Sequence, residues 1–260
     1  MALRDAVWGA AVGDALGVPY EFMIRDEFLC EDMVGFGKHY QPAGTWSDDT
    51  AMMLAICDSI RVLGHVDTAD LLARFREWFY EGAYTPDRNV FDYGNATAQA
   101  LTSGVGCSGP NQNGNGSLMR TAPLAYVDCT DEDIRAASAV THAHHVSCDT
   151  CVEFVHLLRR LCEDRDATLA ELRAQYADRS RDSVRSGGFV VDTYDAARWC
   201  LATTSSYAEC VLAAVNLGHD TDTTACVAGA LAGEVYGING IPAAWLSAMR
   251  GREVLEACLF

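Results

Sequence analysis

The sequence predicts an all-α protein built as one domain, and three observations carry that reading. Only six of 260 residues are proline, and none falls between Pro123 and Pro242; long helices tolerate such a span and a loop-rich chain would not. Thr168 with Glu171, Ser206 with Glu209 and, in a weaker form, Thr130 with Asp133 have the capping-box spacing, in which a hydroxyl and a carboxylate satisfy free N–H groups of a first helical turn. Two glycine ladders, Gly9, Gly13, Gly17 and Gly229, Gly233, Gly237, step by four. On a helix that step puts all three on one face. Glycine in a helix costs up to about 1 kcal/mol relative to alanine, so each ladder implies a neighbouring backbone at close approach. The first and last helices are expected to pack centrally.

The elements follow in order. The first ladder lies in an apolar stretch that Asp5 and Asp14 interrupt, with no small-residue cleavage pattern, so no signal peptide is expected. Residues 44–50, G-T-W-S-D-D-T, run straight into the helical AMMLAICDSI. Leu71, Leu72, Phe75, Trp78 and Phe79 recur at three and four, with Gly82 as the stop. Residues 103–116 are the most loop-like stretch, and the glycine-rich end at 113–120 is expected to lead into a helix. Asp149 to Leu161 reads as an amphipathic helix, and residues 218–224 open the helix that carries the second ladder. There is no repeat, low-complexity segment or linker-like shift in composition, so residues 1–260 are read as one domain.

Composition narrows the function. With 19 Lys+Arg against 36 Asp+Glu the net charge is −17, which disfavours general nucleic-acid binding and anionic membrane surfaces. No apolar run reaches the ~18–20 residues of a membrane span. Eleven cysteines, odd in number and dispersed among apolar neighbours, fit reduced thiols in a cytoplasm better than disulfides.

The carboxylates are not spread evenly. Ser47, Asp48, Asp49 and Thr50 crowd one helix start, and Asp220, Asp222 and Thr223 crowd another. Such hard oxygen donors suit Mg²⁺ or Mn²⁺, whereas ordinary N-capping needs one Asp. If the two clusters meet, four carboxylates sit together and require cations to neutralise them. Between them, Asn113 to Arg120 forms a glycine-rich turn whose free N–H groups and Ser117 hydroxyl could cradle a diphosphate, although Asn-Gly steps are common in plain turns.

Taken together these residues resemble the ADP-ribosylglycohydrolase family. The matching motifs are G-x-x-x-G-D-A-L-G at 9–17 with Glu21 after it, G-T-W-S-D-D-T at 44–50, N-G-S-L-M-R at 115–120, Thr141-His142, and N-L-G-H-D-T-D-T at 216–223. They stand in family order and span nearly the whole chain. The resemblance implies an all-α domain with a binuclear Mg²⁺ or Mn²⁺ centre at the bottom of an ADP-ribose cleft. The implied metal ligands are Ser47, Asp48, Asp49, Asp220, Asp222 and Thr223. Glu21 would lie beside the metals, as a ligand or as the residue handling the catalytic water, with Asp48 or Asp222 as alternatives for the acid–base work. Asn115, Gly116, Ser117 and Met119 would line the phosphate and ribose path, His142 would approach the distal ribose, and Phe189 would stack on adenine. The implied activity is hydrolysis of the bond between ADP-ribose and a modified protein side chain, arginine or serine, or a small ADP-ribosylated molecule. The alternative is a module on the same fold that binds ADP-ribose without cleaving it.

Two positions depart from the family pattern. Ser47 stands where many members have Thr, and His219 where many have Gly; neither removes an implied ligand. A rival zinc site at 141–151, with three histidines and Cys148-x-x-Cys151, lacks a second Cys-x-x-Cys. Both cysteines are expected to pack structurally. The arginines of residues 173–188 are expected on a solvated face, and Trp8, Trp78, Trp199 and Trp245 in the core.

Overall fold

The computed structural model describes residues 3–260. Among them run twelve α-helices: α1 Leu3–Gly17, α2 Asp48–Leu63, α3 Thr68–Glu81, α4 Asn95–Ser103, α5 Asp131–Ala139, α6 His145–Glu163, α7 Arg165–Tyr176, α8 Val190–Thr203, α9 Tyr207–Val215, α10 Thr221–Tyr236, α11 Ala243–Ala248 and α12 Arg252–Cys258. No β-strand occurs among the described residues, only isolated bridges such as Phe36 with Gln41 and Gly114 with Phe189. No described helix is long and apolar enough to cross a membrane.

The glycine ladders put α1 directly on α10, and the two helices form the centre of the molecule. A Cβ on Gly9 would stand 2.2 Å from the carbonyl oxygen of Gly229, and one on Gly13 would stand 2.1 Å from that of Ala225. Backbone therefore meets backbone with no side chain between. Gly237 does not extend the second face, because it ends α10 with φ +68°. Around this pair one apolar core gathers Trp8, Trp46, Trp78, Phe75, Phe154, Met52, Met53 and Tyr207, all essentially inaccessible. Trp199 and Trp245 are buried as expected.

The helix starts divide in an instructive way. The weakest expected cap, Thr130 with Asp133, is a complete capping box. Ser206 caps α9 by accepting from the N–H of Glu209, but the Glu209 carboxylate turns to Ser205 instead of closing the box. Thr168 caps nothing: α7 starts one turn earlier on Asp164, and the Thr168 hydroxyl donates to the carbonyl of Arg160. The glycine-rich turn leads not into an α-helix but into 3₁₀ turns at Leu118–Arg120 and Ala122–Tyr126. Pro123 explains this, since it lacks an N–H and disfavours helical backbone in the residue before it.

Candidate active site

The site is built where the central helix pair opens. Gly17 at the end of α1 touches the start of α10 so closely that a Cβ there would lie 2.3 Å from the Cα of Asp222. The chain then turns through Val18–Tyr20 and presents Glu21 to the same helix start. Carboxylate oxygens of Glu21, Asp220 and Asp222 lie within 4.8 Å of one another.

Asp14, one turn back on α1, fastens the other carboxylate cluster. It is fully buried and accepts from the N–H of Ser47 at 3.0 Å, the N–H of Thr50 at 3.1 Å and the Thr50 hydroxyl at 2.6 Å. The first turn of α2 is thus pinned to α1, with Ser47 as N-cap accepting from the N–H of Asp49 at 3.3 Å. The two clusters meet: the Thr223 hydroxyl donates to Oδ2 of Asp49 at 3.3 Å.

Above this floor lies a cleft of about 460 Å³, to which Glu21, Asp48, Asp49, Asp220 and Thr223 contribute from below. Asn115, Gly116, Met119 and His142 form part of its wall. Asn115 donates through Nδ2 to Oδ2 of Asp220 at 2.8 Å and to the Thr193 hydroxyl at 2.9 Å. Gly116 leaves room for the His142 ring, whose Cε1 would be 2.7 Å from a Cβ at that position. Ser47 and Asp222 are buried beside the floor and do not line the cleft. Nor does Ser117, whose hydroxyl is buried among Ser138, at 2.8 Å, and the Cys151 thiol, at 3.4 Å. Phe189 also stands off the lining: it is 39% exposed at the start of α8, next to Gly188, which does line it.

The electrostatics of the floor are severe. Burial, reinforced by the neighbouring carboxylates, pushes Asp48, Asp49 and Asp222 well above the usual range. Burial raises Asp220 as well, brings Asp14 to about 6 and brings Glu21 to about 7. Buried Oδ1 of Asp49 and Oδ2 of Asp222 face no hydrogen-bond donor. Among the described residues no Lys or Arg is hydrogen-bonded to these carboxylates, and oxygens gathered this closely, two of them bare, could hold a hard metal ion. The residues present fit such a cation. His142 behaves oppositely: burial, then the positive charge of Arg120, drops it to about 3, so its imidazole is neutral.

Three residues of the site had not stood out in the sequence. Asp14 carried a local signal, as an acid among the apolar residues and glycines of 6–17. His39 and Asp92 carried none, and only the fold brings them to Glu21 in a second group of candidate ligands. Asp92 lines the cleft, and burial pushes its carboxyl up to about 9. The rival site at 141–151 is packing, as expected: Cys148 and Cys151 are buried on α6, and the His144 side chain accepts from the N–H of Val146 to cap that helix.

A model of the ADP-ribosylglycohydrolase family matches residues 2–259. The chain belongs to the ADP-ribosylglycohydrolase family. The family's enzymes are hydrolases, and so is this chain. It is 35% identical to an ADP-ribosylarginine hydrolase Tri1 of Pseudomonas putida, over 94% of this chain and 72% of that one. It is 30% identical to an ADP-ribosyl-[dinitrogen reductase] glycohydrolase of Rhodospirillum rubrum, over 93% and 88%. A solved structure, described as an ADP-ribosylglycohydrolase-related protein complex, superposes with a TM-score of 0.83 at 31% identity, covering 98% of this chain and 94% of its own. The all-α architecture of this ADP-ribosylglycohydrolase is therefore the family's own.

Proposed function

We propose that this enzyme removes ADP-ribose from a modified protein side chain in a metal-dependent hydrolysis, with arginine as the first linkage to test and serine or a small ADP-ribosylated molecule as the others. The observation that carries the reading is the convergence of two helix starts, with their bare buried carboxylate oxygens, on one cleft. The arginine linkage is supported by the names of relatives at 35% and 30% identity. Ser47, Asp48, Asp49, Asp220, Asp222 and Thr223 would hold two divalent ions, Mg²⁺ or Mn²⁺. When bound, the ions supply positive charge that orients the ribose hydroxyls and the attacking water.

The protein's own groups do the rest. Asn115, Gly116, Met119 and the neutral His142 line the phosphate and ribose path; Ser117 would serve it through its backbone N–H, and Phe189 is exposed enough at the edge to stack on the base. Glu21, held near neutrality by burial, takes the proton of the attacking water as the bond from the anomeric carbon to oxygen forms, and returns a proton to the departing nitrogen or oxygen as the old bond breaks. The domain as a whole, residues 1–260, would act as one unit on an ADP-ribosylated substrate in a reducing cytoplasm, with neither nucleic acid nor membrane as partner.

The test incubates metal-stripped protein with arginine- and serine-linked ADP-ribosyl peptides, with and without Mg²⁺ or Mn²⁺, and measures released ADP-ribose. Release from one peptide only when metal is present is expected. Calorimetric binding of ADP-ribose with no release from any substrate would overturn hydrolysis in favour of a binding module.

A further inference from the structure

Glu21 sits at the end of a turn and has three side-chain torsions, yet the chemistry proposed for it requires one orientation. Among the described residues two side chains meet its carboxylate: Nε2 of His39 is hydrogen-bonded to Oε2 of Glu21, and Asp92, itself a carboxyl, shares a hydrogen bond with it, which leaves His39 as the one partner there that is not an acid. We infer that His39 is the positioning residue of Glu21, an inference that rests on the acid–base role proposed above.

The surroundings fit that task. His39 belongs to a tight loop closed by Phe36 N–H to Gln41 O at 2.5 Å, with the Gln41 side chain returning to His39 O at 3.0 Å. The loop is seated on the very turn that presents Glu21. Lys38 N–H donates to Pro19 O at 3.1 Å, and Gly37 lies so close that a Cβ would stand 2.0 Å from that oxygen. The imidazole has two aromatic neighbours, both tilted to it: Phe91, 5.2 Å between ring centroids, and Phe22, at 6.3 Å. Its Nε2 lies 3.8 Å from Oδ1 of Asp92. Phe22 and Asp92 both have left-handed backbone, φ 64° and 55°. Such strain in residues with a Cβ persists where the surroundings over-determine it, commonly at functional sites. His39 is thus held by its loop and two aromatic neighbours with Nε2 on the Glu21 carboxylate.

The test compares His39→Ala, His39→Gln and Glu21→Gln, alone and combined, in the metal-loaded enzyme. His39→Ala is expected to lower kcat at least about tenfold, the scale on which misplacing a catalytic group acts, with KM, ADP-ribose affinity and metal affinity unchanged within about twofold. His39→Gln, which restores an N–H of similar reach, is expected to recover most of kcat. His39→Ala added to Glu21→Gln should cost nothing further. Unchanged kcat in His39→Ala, a loss confined to KM, or an equal loss in both backgrounds would overturn the inference. Wild-type release of ADP-ribose checks the underlying function separately. Without any turnover, the ¹⁵N signal of His39 Nε2 must still shift in Glu21→Gln; a signal that stays put refutes the contact itself.

Discussion

Oδ1 of Asp49 and Oδ2 of Asp222 are buried without a donor, and at the residue scale that is the strongest statement the site makes. Removing either Asp48 or Asp222 takes away a proposed ligand but leaves no new unpaired charge. Asp48→Ala and Asp222→Ala are therefore expected to lower turnover by more than about a hundredfold, beyond the loss usual for residues one step behind a ligand, with an unchanged circular dichroism spectrum. Full activity in either variant would remove that carboxylate from the mechanism. These carboxylates were legible in the sequence because each pair is crowded beside a hydroxyl at a helix start. Asp92 and His39 were not, because they are joined to Glu21 by the path of two long loops. Ser117 shows the converse limit: its place in a glycine-rich motif suggested a hydroxyl facing ligand, but packing against Ser138 and Cys151 turns it inward.

At the scale of elements, the contact between α1 and α10 governs. Gly13→Ala must push the helices apart against a carbonyl oxygen 2.1 Å from the new Cβ, and a loss of about 3 kcal/mol or more in urea unfolding is expected, at or beyond the upper end for overpacked cores. Gly187→Ala, where a Cβ meets nothing within 4 Å, is the control and should stay within about 0.5 kcal/mol. Equal losses at the two positions would show that the close approach is not what the glycines serve. Thr130→Ala, which removes a complete capping box, should cost about 1 kcal/mol. The ladders were readable since spacing alone reveals a helical face. The start of α7 is not legible in the same way, because a capping-box spacing cannot say whether a better acceptor, here Asp164 with the N–H of Ala167 at 3.1 Å, stands one turn earlier.

For the whole molecule, the carboxylate floor links stability to pH. Burial raises Glu21 to about 7 and Asp92 to about 9, and lifts Asp48, Asp49 and Asp222 well above their ordinary range. The folded protein consequently holds these protons more tightly than the unfolded chain, whose carboxyls titrate near about 4. Stability from this source is full below that point and is lost as pH climbs toward 9. The melting temperature of metal-stripped protein should fall from pH 5 to pH 9, and Mg²⁺ or Mn²⁺ should flatten or reverse the slope by taking the protons' place. A flat profile without metal would contradict the burial assigned to these groups. Thiol reagents give a second global readout. Cys162 is exposed, Cys129 partly so, and the other nine are buried; because burial raises the Cys162 thiol to about 11, native protein should react slowly and at no more than two thiols, against eleven after denaturation.

The same central pairing has a consequence in time. The Thr221 hydroxyl that bonds the carbonyl of Gly17 lies 204 residues further along the chain. At roughly 5–20 residues per second, α1 leaves the ribosome on the order of 10–40 s before its partner exists. Throughout that interval α1 can lie against α2, through Asp14 and the first turn of that helix, but its glycine face has no partner. The scaffold of the site is thus a late contact of the nascent chain, followed by those of the α11–α12 end such as Trp8 with Glu256, and what lies between must wait for it in a form that does not aggregate.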